Sequence, residues 1–187
     1  MKRKIILTTL VALATTFTLN ARGGYFGGHH GWGNGGGYRS ISVANLTQKQ
    51  KDDLIFMYQE EKMARDVYIT LGKKWGERVF LNIQRSEQNH MNAIERLLNK
   101  YSLSVPVDNS DIGHFANEEL QALYNDLVAK GNLSLKDALE VGAAIEETDI
   151  ADLEEKIANT PLDISRVYQN LLRGSYRHLR AFNYYLN

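Results

Sequence analysis

Cysteine is absent from the 187 residues, and proline occurs twice. Without thiols there is no disulfide, no thiolate zinc site, no cysteine-ligated iron–sulfur centre and no lipid-modified cysteine. So little proline suits long uninterrupted helices, because proline inside a helix removes a backbone donor and collides with the preceding turn. Net charge is missing too: 22 basic residues balance 22 acidic ones. That balance gives no electrostatic reason to expect binding to nucleic acid or to an anionic membrane surface. No strand pattern competes with helix, and no repeat stands out beyond two loosely similar helical hairpins.

The first residues read as an address. Lys2, Arg3 and Lys4 form a basic start, and the apolar run from Ile5 to Leu19 follows. The run is short for a bilayer span and diluted with threonine, so residues 1–21 are expected to be a bacterial-type signal peptide. Ala21 would sit before the cleavage point, although Leu19 is large for the position two residues earlier. An uncleaved anchor is the alternative, and the only membrane association expected. The expected location is periplasmic or secreted.

Residues 22–41 are glycine-rich, about half of them glycine, with scattered aromatics and the pair His29–His30. Such a segment buries too little apolar surface to offset its backbone entropy, so a disordered linker is expected. A loose metal contact through the histidine pair is the lesser expectation there.

Residues 42–187, roughly 140 after export, are enough for one domain. Thr47-x-x-Gln50 has the form of a capping box and opens a helix to about Leu71. Its buried stripe is Leu54, Met57, Glu61, Ala64 and Tyr68. A break at Gly72–Gly76 leads to a second helix ending near Lys100, with the stripe Ile83, Glu87, His90, Ile94 and Leu97. Tyr101 to Leu133 reads as a long crossover containing a short helix, Asn117 to Lys130, closed by Gly131. Ser134-x-x-Asp137 starts a third long helix with Leu139, Ala143, Glu146, Ile150 and Leu153 inside. Pro161 begins a fourth as its first helical residue, carrying Ile164, Val167, Leu171, Ser175, His178, Phe182 and Tyr185. The expected fold is all-α: a four-helix bundle of two antiparallel hairpins joined by a long crossover with a short extra helix, the ferritin-like connectivity.

Each stripe is interrupted by a residue that ordinarily stays in water. Glu61, Glu87, His90, Glu146 and His178 all fall at positions their apolar neighbours assign to the core. Several buried carboxylates repel one another and carry desolvation costs on the order of several kcal/mol per ion. One divalent cation, or a pair, removes that difficulty. Glu87-x-x-His90 places an oxygen and an imidazole on adjacent turns of one helix face. A glutamate from each of two helices and Glu-x-x-His from each of the other two is the ligand pattern of carboxylate di-iron bundles. Here the fourth helix offers Ser175-x-x-His178, with serine where the second such glutamate belongs. Asp149, one turn after Glu146, is the expected substitute oxygen, and Glu147 the less favoured one, about 100° around the helix. The bland alternatives are Glu61 as a surface partner of Arg65 and His178 as a core histidine.

These residues carry a family resemblance. Glu61-Lys-Met-Ala-Arg65-Asp-Val-Tyr68 resembles the first-helix E-x-x-A-R-x-x-Y of rubrerythrin-like proteins, and Ser86-Glu87-Gln-Asn-His90 resembles their second-helix motif. The stretch from about Ser42 to Tyr185 resembles the prokaryotic DUF2202 family, a domain of unknown function placed in the ferritin-like superfamily. Its most specific pieces are Glu60 to Tyr68 and Gly174 to Phe182. The resemblance implies the fold more firmly than an activity, because that superfamily hosts iron storage, peroxide reduction, hydroxylation and metal-free proteins. The lack of cysteine removes the rubredoxin-type centre of a complete rubrerythrin.

Three functions follow as expectations. The first is a dinuclear iron centre, or manganese or zinc, acting on oxygen, peroxide or Fe(II) as a ferroxidase or peroxidase type, with Tyr58 or Tyr68 beside the ligands. The second is a metal-sequestering or envelope stress protein without turnover. The third is a structural bundle with a degenerate site, its carboxylates neutralised by Arg65, Arg173, Arg177 or Arg180. Expected partners are metal ions and a small oxidant, with homodimerisation left open.

Overall fold

The computed structural model describes residues 45–104 and 111–187. The expected signal peptide, the glycine-rich linker and the start of the domain at residue 42 lie outside the described residues. Among those described there are five helices and no strand: α1 (Gln48–Trp75), α2 (Arg78–Lys100), α3 (Glu118–Gly131), α4 (Leu135–Ile157) and α5 (Leu162–Leu186). None is long and apolar enough to cross a membrane.

Side chains and backbone set these boundaries locally. Thr47 and Gln50 form the reciprocal capping box at the start of α1. Asn117 accepts from the Glu119 and Leu120 amides, and Ser134 accepts from the Asp137 amide, so α3 and α4 start on capped amides. Three boundaries differ from the expectation: α3 runs through Gly131 to a cap at Asn132 and does not close at Gly131. α1 does not break at Gly72 but runs to Trp75 and stops at Gly76, whose φ of 71° is left-handed. Gly72 serves close approach instead: a Cβ there would lie 3.1 Å from the Cβ of Phe80 on α2. Pro161 caps α5 with an extended ψ of 152°, and Leu162 is the first helical residue.

The four long helices pack in a ring: α1 on α2, α2 on α5, α5 on α4, and α4 back on α1, with α3 lying on α1 and α4. Neighbours in the ring run antiparallel. Arg65 meets Gln88 where α1 faces α2. Tyr68 meets Gly142 across α1 and α4, whereas Gln50 reaches the Asn159 carbonyl at the far end. Tyr176 reaches Glu154 across α5 and α4.

Apolar side chains form two clusters, one at each end of the ring. One contains Val67, Tyr68, Leu71, Phe80, Ile83, Leu139 and Phe182. The other contains Leu54, Met57, Met91, Ile94, Leu153, Ile164 and Leu171. On every long helix the polar interruption falls between the two: Glu61, the Glu87–His90 pair, Glu146, and the Ser175–His178 pair. The predicted stripes of α1, α2 and α4 are buried throughout. On α5, Ile164 and Tyr168 are fully buried, Val167 half-buried and Tyr185 44 % exposed, so Tyr168 takes the place expected for Val167 and the stripe ends at Phe182.

The crossover is fastened to α1 by charge. Lys62 is wholly buried, 2.7 Å from Asp66, and donates to the carbonyls of Asp111 and His114. Its ammonium also lies 4.3 Å from the centre of the Phe115 ring. Asp66 in turn accepts from the Arg65 guanidinium and the Gly113 amide.

Candidate metal centre

The structure brings Glu61, Glu87, His90, Glu146 and His178 together in one buried layer between the apolar clusters. The imidazole Nδ1 of His90 lies 2.8 Å from Glu87 Oε2 and 3.1 Å from Glu61 Oε2. The Nδ1 of His178 lies 2.8 Å from Glu87 Oε1 and 3.4 Å from Glu146 Oε2. Glu87 therefore turns one oxygen to each histidine, and the two rings stack with centroids 5.5 Å apart. Two groups result, Glu61–Glu87–His90 and Glu87–Glu146–His178, whose ligand atoms lie within 4.8 Å of one another in each. Either group could hold a metal ion.

Surrounding residues fix the ring orientations. Ser86 Oγ lies 2.9 Å from His178 Nε2, which leaves Nδ1 facing the carboxylates. His90 packs its Nε2 against Gly174, where a Cβ would approach to 2.6 Å. Glycine is thus needed at 174 for His90 to lie where it does. Tyr68 donates to Glu146 Oε1 at 2.7 Å, which matches its expected place beside the ligands.

Polar atoms at the centre are left over. Glu61 Oε1, Glu87 Oε1 and His178 Nδ1 are buried without a hydrogen-bond partner. Glu87 Oε1 and His178 Nδ1 approach to 2.8 Å, yet not with hydrogen-bond geometry. Buried groups of this kind are nearly always satisfied, and carboxylate and imidazole groups converging on one point are suited to a cation.

Protons carry the burden in the metal-free cluster. Burial pushes the carboxyls of Glu61 and Glu146 up to about 8. Burial also disfavours charge on Glu87, but the adjacent His90 and His178 outweigh it and hold this carboxyl below its ordinary range. Burial disfavours the imidazolium of His178, but Glu146 and Glu87 raise it to about 10. His90 is raised likewise by Glu61 and Glu87 against its burial.

Metal-free protein should therefore lose stability with rising pH. Glu61 and Glu146 move from 4.5 to about 8, so the folded state holds the extra protons across that interval. The contribution of His178 is complete below 6.5 and is lost as pH rises through about 10. Glu87 acts in the opposite sense only in the acid range below its ordinary value. Thermal midpoints in chelator should fall from pH 6 to pH 9; a midpoint that rises over this range would contradict the protonation pattern.

Asp149, the substitute oxygen expected from its spacing, belongs to neither triad. Its Oδ2 accepts from Ser175 Oγ at 2.5 Å, and its Oδ1 is buried without a partner. Ser175 is therefore paired across to α4. Arg173, Arg177 and Arg180 are exposed on α5, and Arg65 is bonded to Asp66 and Gln88. Glu60, Asp152 and Lys156 are buried near the centre and were missed. Lys156 lies 3.0 Å from Asp152 at i,i+4 spacing, the one sequence signal that could have found that pair.

The described residues thus define an all-helical fold with a buried carboxylate–histidine cluster. The profile of the family described as an uncharacterized protein domain (DUF2202) matches residues 50–187, and the chain belongs to that family. It is 51% identical over 149 residues to the uncharacterized protein MJ0754 of Methanocaldococcus jannaschii, covering 79% of this chain and 80% of that one. The crystal structure of the hypothetical protein MJ0754 from Methanococcus jannaschii superposes with a TM-score of 0.75 at 50% identity. That match covers 79% of this chain and 85% of the solved one.

Proposed function

We propose that this chain is an exported ferritin-like four-helix bundle that holds a pair of metal ions on Glu61, Glu87, His90, Glu146 and His178. Iron is the metal proposed, with manganese or zinc as alternatives, and the activity is oxidation by oxygen or peroxide, including oxidation of Fe(II). The observation that carries this reading is the sharing of Glu87, which faces a different histidine with each oxygen. A carboxylate so placed can bridge two cations, each completed by one more glutamate and one imidazole. The donor set of carboxylate and imidazole suits iron, manganese and zinc. Export rests on the basic start and short apolar run of residues 1–21.

Bound redox-active ions would supply electrons to a small oxidant. The chain's own residues do the rest. Tyr68 holds Glu146 by a 2.7 Å hydrogen bond, and Ser86 holds the ring of His178. The apolar clusters on either side exclude bulk water.

Elemental analysis of protein purified from the native compartment tests binding, and oxygen uptake after anaerobic addition of Fe(II) tests turnover. The expected result is about two metal ions per chain, with oxygen consumed in proportion to Fe(II). Metal without oxygen consumption would shift the reading to sequestration. Protein that neither retains nor takes up metal would overturn it.

A further inference from the structure

Between α1 and α4, beside the triads, lies a cavity of about 20 Å³. Glu60, Glu61, Glu87, Glu146 and Asp149 line it together with the apolar Met63, Ala64 and Ile145. Its size admits one water-sized occupant. Glu60 and Asp149 belong to neither triad, yet each keeps an oxygen that is buried and unpartnered, Oε2 of Glu60 and Oδ1 of Asp149. Glu60 is 95% enclosed, since only 5% of its surface is exposed. Glu61, on the same wall, keeps Oε1 unpartnered as well. The neighbouring cation Lys156 is engaged by Asp152 at 3.0 Å.

Three neighbouring carboxylates, each with a buried oxygen left unpartnered, are costly to assemble unless something positive enters. We propose that Glu60 and Asp149, with Glu61 as the wall shared with the first triad, form a third divalent-cation position. Its donors are oxygens alone, without imidazole, so it favours hard, partly hydrated ions of the Mn(II), Fe(II) or Mg(II) class over Zn(II). The carboxylates do not close to the spacing of the triads, so water completes the coordination and binding is weaker than at the pair. Its place on the α1–α4 side, opposite the histidines of α2 and α5, makes it a staging position for ions bound for the pair. That role rests on the paired-centre reading; cation binding at the position does not.

The test is equilibrium binding of Mn(II) to the full chain, counted from the free-ion signal in electron paramagnetic resonance. Three ions per chain are expected at saturation, the third at least about tenfold weaker. Glu60→Gln and Asp149→Asn should each remove the weak ion and retain the tight two, whereas Glu87→Gln should remove the tight pair. Two ions in wild type, unchanged in Glu60→Gln, would overturn the third position and leave the pair standing. Loss of a tight ion in Asp149→Asn, with Glu60→Gln unaffected, would assign Asp149 to the pair and equally overturn it. No tight ions, with weak binding that still depends on Glu60, would sink the pair and support the third position. Circular dichroism checks that each variant folds. Should either fail to fold, anomalous scattering from Mn(II) in wild-type crystals decides, by a peak between Glu60 and Asp149 or its absence.

Discussion

Glu87→Gln is expected to abolish tight metal binding at both positions while leaving the chain helical. The substitution keeps the shape of the side chain but removes its charge and makes one end a donor. Because His90 and His178 each approach a different oxygen of Glu87, both triads lose a ligand at once. The expected loss is on the order of a hundredfold or more in affinity at each position. Glu61→Gln and Glu146→Gln give the contrast, since each serves one triad and should weaken one ion of the two. Metal titration of the three variants decides. If Glu87→Gln weakens only one ion, Glu87 does not bridge and the paired reading fails.

Asp66→Ala is expected to be the most damaging change away from the centre. Asp66 is fully buried and takes Lys62 and Arg65 together with the Gly113 amide. Removing it strands the Lys62 ammonium, which is 0% exposed, without its carboxylate. Loss of one partner from a buried pair costs about 3–5 kcal/mol, which corresponds to a fall of roughly 10 °C in thermal midpoint for a chain of this size. The crossover segment carrying Gly113 and His114 should loosen with it, and amide exchange there should accelerate. A midpoint no lower than that of Asp126→Ala, a carboxylate exposed on α3, would show that the buried pair contributes nothing.

The difference between what the sequence disclosed and what it hid has a physical cause. Helices α2, α4 and α5 keep a solvent face, so a periodic stripe is visible and a Glu or His inside it stands out; that is how Glu87, His90, Glu146 and His178 were found. The caps Thr47, Asn117 and Ser134 were equally legible, because capping is decided within three residues. Helix α1 is different. From Met57 to Tyr68 every residue is buried, since α2, α4, α3 and the crossover cover all its sides. The stripe read on α1 is therefore only part of its buried surface, and Glu60, Lys62 and Asp66 lie inside although they fall outside that stripe. The Gly72 boundary failed for a related reason: glycine's role there is set by Phe80 on the neighbouring helix, a contact no local pattern reports. Asp149 is an expectation from spacing alone, and spacing does not report the Ser175 hydroxyl that donates to it.

Sharing of Glu87 also sets an order of assembly. The first triad lies wholly within the α1–α2 hairpin, with Glu61 and His90 separated by 29 residues. The second requires Glu146 and His178 from the later hairpin, which must close a far longer loop across the crossover before it can meet Glu87. A chain emerging amino terminus first can thus complete one half of its centre before the other half has been synthesised. The second half then forms only when the two hairpins dock in register, and its completion reports that the halves of the molecule have found each other.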